Sequence, residues 1–309
     1  MASKPICLLT ARDLDLFQAL DRCPLTVRQI LKLSTTFAYP FTDERRVQER
    51  LYDLRAAGRV RQWWYTTAGP GALGYYTLTP LSYRLLHGLD AARPGRGLFS
   101  QVAVARQAHT QALAEVLVHL FVAAHAAGIH VENVSRENTV CLRLDDDSQF
   151  PDGKFELVIE QEHDTEEEPR FTFFIEIDNR TEPIVRSGTA QDSWKRKVEF
   201  YERYQDVQPE RFRVLAVTTG GPERLDHMLR CAAHLAKNPE RSLIYGITLQ
   251  DLLNVGDAVT SNCFRNHTGM PVALVPPKAT IRDVSRWASG KSQDVLLPSA
   301  ACLRPSHAV

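Results

Sequence analysis

The most chemically suggestive residues in this sequence are the carboxylates Asp152, Glu176 and Asp178 and the lysines Lys195 and Lys197. Asp152 stands in Phe150-Pro151-Asp152-Gly153, just ahead of the apolar run Phe155–Ile159. Glu176 and Asp178 alternate with Ile175 and Ile177 in the stretch 173–178. A strand has a side-chain period of two, so both acids fall on one sheet face near the strand's end. If the Asp152 strand lies alongside, the carboxylates converge at the mouth of a sheet. Like charges held that close repel unless a proton or cation is shared, and an all-oxygen cage suits Mg²⁺ or Mn²⁺. Lys195 and Lys197, on the next predicted helix, would add a cation for an attacking water or a scissile phosphate. The same residues have a plainer use, because acids at strand ends are common solvated caps and Asp-Gly is a turn signal. Pattern alone favours that plainer use. The acidic run 163–168 (HDTEEE) is predicted to be a solvated loop without chemistry.

A second set of residues points to a polyanion. A helix predicted to open at Thr42-Asp43-Glu44 and close at Gly58 places Val47, Leu51 and Leu54 on one apolar stripe. Its opposite side presents Arg45, Arg46, Glu49 and Tyr52, with Gln48, Arg50 and Arg55 on the flanks. Arg and Gln are donors that read base edges or grip phosphates. Arg59 and Arg61 extend the basic surface beside Trp63-Trp64-Tyr65, a trio expected to pack rather than stack on bases. Residues 1–106 hold 15 Lys and Arg against 8 Asp and Glu, whereas the rest holds 22 against 29, so a net charge of zero hides a basic and an acidic part. The basic part is the one suited to nucleic acid.

The elements that must position these residues follow from periodicity and punctuation. Helices are predicted from Thr10 and Thr26, then the one from Thr42. β-prone residues 60–67 and 74–79 flank a Gly-Pro-Gly turn at 69–71, and Pro80 opens a further helix through His87. Helix, helix, helix, hairpin is the winged helix-turn-helix order, assigned to residues 8–88. Residues 89–100 read as a linker. Beyond it come a long helix over 101–127, strands at 130–135, 140–144, 155–159 and 171–177, a helix at 193–204, a strand at 212–218, a helix at 223–236 and a strand at 243–248. That order predicts an α/β sandwich with a mixed sheet over 101–255, giving an α+β protein. Residues 256–309 read as a C-terminal extension, partly disordered. The longest apolar stretch, Ala112–Ala127, is broken by Glu115, His119 and His125, so neither a membrane span nor a signal peptide is expected. The six cysteines show no metal-ligand spacing, which implies reduced thiols in a cytoplasmic protein without zinc.

In order and spacing these features resemble the replication-relaxation family of bacterial plasmids and mobile elements. The resemblance rests on the winged-helix start, His109-Thr110 opening a long helix, Pro151-Asp152 before a strand, the 173–178 strand, and the lysine-bearing helix ending in Tyr201 and Tyr204. It implies a DNA-binding protein acting in plasmid replication, mobilisation or DNA relaxation, associated with the nucleoid or a plasmid. The second domain also resembles the PD-(D/E)-x-K nuclease fold, the restriction-endonuclease-like arrangement. Asp152 and Glu176 then match its acids, while Asp178 stands where the lysine belongs and Lys197 or Lys195 would come from the next helix.

Three functions follow as expectations. The first is a mobile-element DNA-binding protein whose nuclease-like domain is inactive and docks a relaxase, a replication initiator or another mobile-element protein. The second is a Mg²⁺- or Mn²⁺-dependent endonuclease or nickase with Asp152, Glu176 and Asp178 as metal ligands and Lys197 or Lys195 as the cation. The third is a winged-helix transcriptional regulator. Double-stranded DNA is the partner in each, bound through Arg45, Arg46, Gln48, Arg50, Arg55, Arg59 and Arg61, and a homodimer is compatible with all of them.

Overall fold

The computed structural model describes residues 8–66, 73–92, 94–160, 169–180, 184, 193–238 and 240–276. The predicted turn at 69–71, the acidic run 163–168 and everything from 277 onward lie outside the described residues. The chain forms two compact units, residues 1–122 and 123–309.

In the first unit, helix α1 (Ala11–Arg22) starts at Thr10, whose N–H donates to Asp13 Oδ2 at 2.7 Å. Strand β1 (Leu25–Thr26) leads into helix α2 (Val27–Leu33), where Thr26 Oγ1 accepts the Gln29 N–H and Gln29 Oε1 accepts the Thr26 N–H. Each reciprocal pair satisfies two donors that a helix start leaves open. Helix α3 (Glu44–Ala56) is capped by Asp43 and ends at Gly58, whose φ of 72° is a left-handed value that glycine adopts at little cost. Strands β2 (Val60–Trp64) and β3 (Gly74–Leu78) pair antiparallel, and β1 adds to the other edge of β3, for an order β1-β3-β2. Two residues are too few to show a period, so β1 was invisible in the sequence. Helix α4 (Pro80–His87) uses proline in its first turn and Thr79 as its cap. Leu16, Phe17, Leu20, Ile30, Val47, Leu51, Leu54, Tyr75 and Leu78 fill the core.

The stretch read as a linker carries a 3-10 turn at Arg96–Phe99, and the Phe99 carbonyl accepts from Arg61 at 2.8 Å. Helix α5 (Gln107–Ala126) begins six residues later than the pattern suggested, after a 3-10 turn at Val104–Arg106. Its first residue is pinned, because Gln107 Oε1 accepts both the N–H and the hydroxyl of Thr66.

In the second unit a seven-stranded mixed sheet runs β12-β11-β10-β9-β8-β7-β4. Its strands are β4 (His130–Ser135), β7 (Gly153–Val158), β8 (Arg170–Asp178), β9 (Phe212–Thr218), β10 (Ile244–Thr248), β11 (Phe264–Asn266) and β12 (Pro271–Val272). The strand expected at 140–144 is shorter and pairs elsewhere, as β5 (Leu142–Leu144) in a separate hairpin with β6 (Asp147–Gln149). β8, β9 and β10 are parallel, joined by helices α6 (Trp194–Val207) and α7 (Pro222–Leu235), and helix α8 (Leu249–Asn254) follows β10. This is the mixed α+β architecture the alternation of patterns implied. Phe174, Val214 and Ala216 form one core with Trp194, Val198 and Tyr201 of α6 and Leu225, Met228 and Leu229 of α7. Gly246 lets α7 approach β10 closely, since a Cβ there would lie 2.7 Å from Leu225 Cδ1. β11 and β12 extend the sheet through a region where three- and two-residue strands leave no readable alternation. Among the described residues no helix is long and apolar enough to cross a membrane.

Candidate functional site

The carboxylates of the second unit lie where β7 and β8 meet α6 and α7. Asp152 precedes β7: its N–H donates to the Ile175 carbonyl at 2.9 Å, and its Oδ2 accepts the Ile177 N–H at 2.7 Å. Its side chain thereby stands in for a main-chain acceptor and prolongs the β7/β8 ladder past the last paired residue, Gly153. Glu176, two residues beyond Phe174 on the face covered by α6, is fully buried. Tyr201 donates its hydroxyl to Glu176 Oε1 at 2.6 Å, and the Gln149 amide donates to the same oxygen at 3.1 Å. Lys197 Nζ lies 2.9 Å from Oε2. Lys197 and Tyr201 are one helical turn apart, so a single face of α6 supplies both partners.

Burial pushes the Glu176 carboxyl above the usual range; Lys197 opposes that rise and the charge of Asp152 adds to it. The Tyr201 phenol is held well above its ordinary value, chiefly by burial and then by the Glu176 charge beside it. Asp178 differs. Burial opposes its ionisation, but the Arg224 guanidinium and the Thr218 hydroxyl outweigh this and hold it below the usual carboxylate range. Arg224 grips it through both oxygens, at 2.7 and 3.0 Å, and Thr218 donates at 2.6 Å. Arg180, in a left-handed conformation with φ of 66°, adds its backbone N–H to the same carboxylate. Such a conformation is uncommon for a residue with a Cβ, and here it aims a donor.

Asp152, Glu176 and Lys197 therefore come together, whereas Asp178 is taken up by α7. Lys195 points elsewhere, 3.6 Å from Glu199. Sequence reasoning did not assign Gln149, Thr218 or Arg224. Tyr201 was within reach, because its spacing from Lys197 places it on the same helical face, while Gln149 and Arg224 arrive from other elements and leave no local signal.

In the first unit, Arg45 and Arg46 project from α3 into solvent, with side chains 85% and 68% exposed, and both touch Glu49. Gln48 and Tyr52 share the exposed side. Arg50 is committed internally: its Nε donates to the buried Asp13 at 2.8 Å, and its Nη2 reaches the Leu8 carbonyl at 2.8 Å. Burial opposes ionisation of Asp13, yet Arg50 and Thr10 hold it below its ordinary value. Arg55 pairs with Gln62 and lies over the Tyr52 ring, Arg61 serves Phe99, and the Arg59 carbonyl accepts from Thr79 and Ser82.

The molecule is thus a two-unit α+β protein. One unit carries exposed arginines on a helix, and the other has a buried carboxylate–lysine–tyrosine cluster at a strand end. Residues 21–213 match the replication-relaxation family, and the chain belongs to it. Membership links the protein to replication or relaxation of plasmid or mobile-element DNA. No curated protein and no solved structure matches the chain.

Proposed function

We propose that the protein binds duplex DNA of a plasmid or mobile element through a winged helix formed by α1–α4 and the β1-β3-β2 sheet. Its second unit, a restriction-endonuclease-like sheet, then docks a protein partner such as a relaxase or replication initiator instead of cutting. One observation carries the DNA reading: Arg45, Arg46 and Gln48 lie on the solvent side of α3 while Val47, Leu51 and Leu54 are buried behind them. A helix so arranged offers cationic donors to phosphates and base edges without disturbing its core. Arg45 and Arg46 are the principal contacts, with Gln48, Arg55, Arg59 and Arg61 flanking them.

The test is fluorescence anisotropy of a labelled duplex titrated with the full chain at several salt concentrations. Arg45→Glu/Arg46→Glu should weaken binding on the order of a hundredfold and lower the salt slope by about 2. Unchanged binding would overturn the assignment.

For the second unit, the donor set supports binding over cleavage. A Mg²⁺ or Mn²⁺ ion would take Asp152, Glu176 and Asp178 as ligands, yet Glu176 is engaged by Tyr201, Gln149 and Lys197, and Asp178 by Arg224 and Thr218. At Glu176 and Asp178 a divalent ion would have to displace Lys197 and Arg224, so no chemical step is assigned to a metal on those two acids.

Endonuclease or nickase activity is a second reading, and the placement of Lys197 beside Glu176 favours it, because a lysine next to an acid is what the nuclease resemblance requires. Supercoiled plasmid incubated with the protein and Mg²⁺ or Mn²⁺ separates the two. Nicking that disappears in Asp152→Ala/Glu176→Ala would establish cleavage, and intact plasmid leaves the binding function.

A further inference from the structure

On the outer side of α7 a cavity of about 620 Å³ has Lys195, Arg224 and Arg230 in its lining. That volume lies within the roughly 300–1,000 Å³ range of small-molecule sites. Arg224, His227, Cys231 and His234 recur every three or four residues along one face of α7, with Arg230 beside them and Lys195 facing from the first turn of α6. Ile184 and Leu235 complete the wall; among the described lining residues there is no carboxylate, while Glu199 lies 3.6 Å from Lys195 and Asp178 holds Arg224 from behind the rim. The lining is therefore of two kinds, apolar surface with a cationic rim.

We infer that this cavity binds a nucleoside phosphate, free or at the end of a DNA strand, with the phosphate on Lys195 and Arg230 and the base and sugar against Leu235, Ile184 and the Cys231 side chain. Three arguments carry it. Lys195 and Arg230 supply two permanent charges to the same cavity, and Lys195 is held only by an exposed contact with Glu199 that a phosphate can replace. Inorganic phosphate alone would leave the apolar wall unused, and a neutral apolar ligand would leave the cations unanswered. Arginine stems and imidazole rings also offer flat surfaces against which a base can lie. The cavity is built from residues other than those of α3, so the two assignments are tested by different substitutions. It also gives Lys195 a role away from Glu176.

Cys231 reports occupancy directly. Burial pushes its thiol up, Lys195 pulls it down and Glu199 adds to the rise, and the group is half-buried, so alkylation by iodoacetamide at mildly alkaline pH is slow but measurable. Exposed Cys141 serves as the internal control. In the full chain, a deoxynucleoside monophosphate or a short single-stranded oligonucleotide at saturating concentration should slow Cys231 labelling at least fivefold and leave Cys141 unchanged, as read by peptide mass spectrometry. Protection by the oligonucleotide alone would assign a strand end, and protection by the mononucleotide as well would assign a free nucleotide. Lys195→Glu/Arg230→Glu should abolish protection, whereas Arg45→Glu/Arg46→Glu should retain it. No protection by either ligand overturns the inference. So does equal protection by inorganic phosphate, or protection that persists in a folded Lys195→Glu/Arg230→Glu variant.

Discussion

The two units use the same residue types in opposite ways. On α3, Arg45 and Arg46 stand in water with only Glu49 between them, whereas in the second unit Lys197, Arg224 and Arg241 are drawn inward to Glu176, Asp178 and Glu202. Exposed pairs contribute little to stability, so the α3 arginines are available to an external anion at small cost. Buried pairs are costly to break, because the partner left behind is an uncompensated charge in a poor solvent. Formal charge therefore says little about which cations are available to a ligand. The acidic balance of residues 107–309 coexists with several arginines and lysines, Lys197, Arg224 and Arg241 among them, that the fold has already paired.

That contrast can be broken by substitution. The largest effect belongs to α3, where Arg45→Glu/Arg46→Glu should cost the duplex affinity described above while leaving the thermal midpoint within a degree or so of the parent. Next, Lys197→Met strands the buried Glu176 carboxylate and should destabilise the protein by about 3 kcal/mol at neutral pH in urea unfolding. Glu176 already has a raised pKa, and losing Lys197 raises it further. A group of that kind stabilises below its unfolded value and loses the contribution as pH rises through its folded value. The Lys197→Met deficit should thus shrink on acidification, and Glu176→Gln in the same chain should restore much of it. A deficit independent of pH would show that packing, not charge, is lost.

Asp178→Asn comes next, at roughly 1–3 kcal/mol, for one charged pair with good hydrogen bonds. Here the sign reverses. Asp178 is held below its ordinary value, so its contribution is present above the unfolded value of 3.8 and lost as pH falls through the folded one. Parent and variant should converge in acid-unfolding curves. Gly246→Ala should cost about 1–3 kcal/mol by pressing a methyl onto Leu225 and Leu229. The smallest test sets neighbours on α3 against each other: Arg50→Ala should lower the thermal midpoint by freeing buried Asp13, and Arg45→Ala should not. Equal shifts would erase the distinction between structural and available arginines.

Much of the architecture was legible. Caps at Thr10, Thr26 and Asp43, Pro80 opening a helix, the stripe Val47-Leu51-Leu54 and the alternation through Glu176 and Asp178 all have local physical signatures, and the elements they announce are present. The short strands β1, β6, β11 and β12 were not, because two or three residues cannot display a period. The acid cluster was half legible. Periodicity placed Glu176 and Asp178 on one face, yet it could not foresee that Arg224, forty-six residues on, would claim one of them while Lys197 claimed the other. Arg50 misleads in the same way: on a helical wheel it flanks the basic face, and only the tertiary fold brings it to Asp13.

Arg224 belongs at once to the Asp178 carboxylate and to the rim of the α7 cavity. Any anion in that cavity that draws on its guanidinium competes with Asp178 for the same donors. The two events are then linked, and linkage is reciprocal: protonating Asp178 should tighten anion binding by the factor by which the anion raises the affinity of Asp178 for its proton. One side chain makes strand-end acidity and cavity affinity two readings of a single equilibrium.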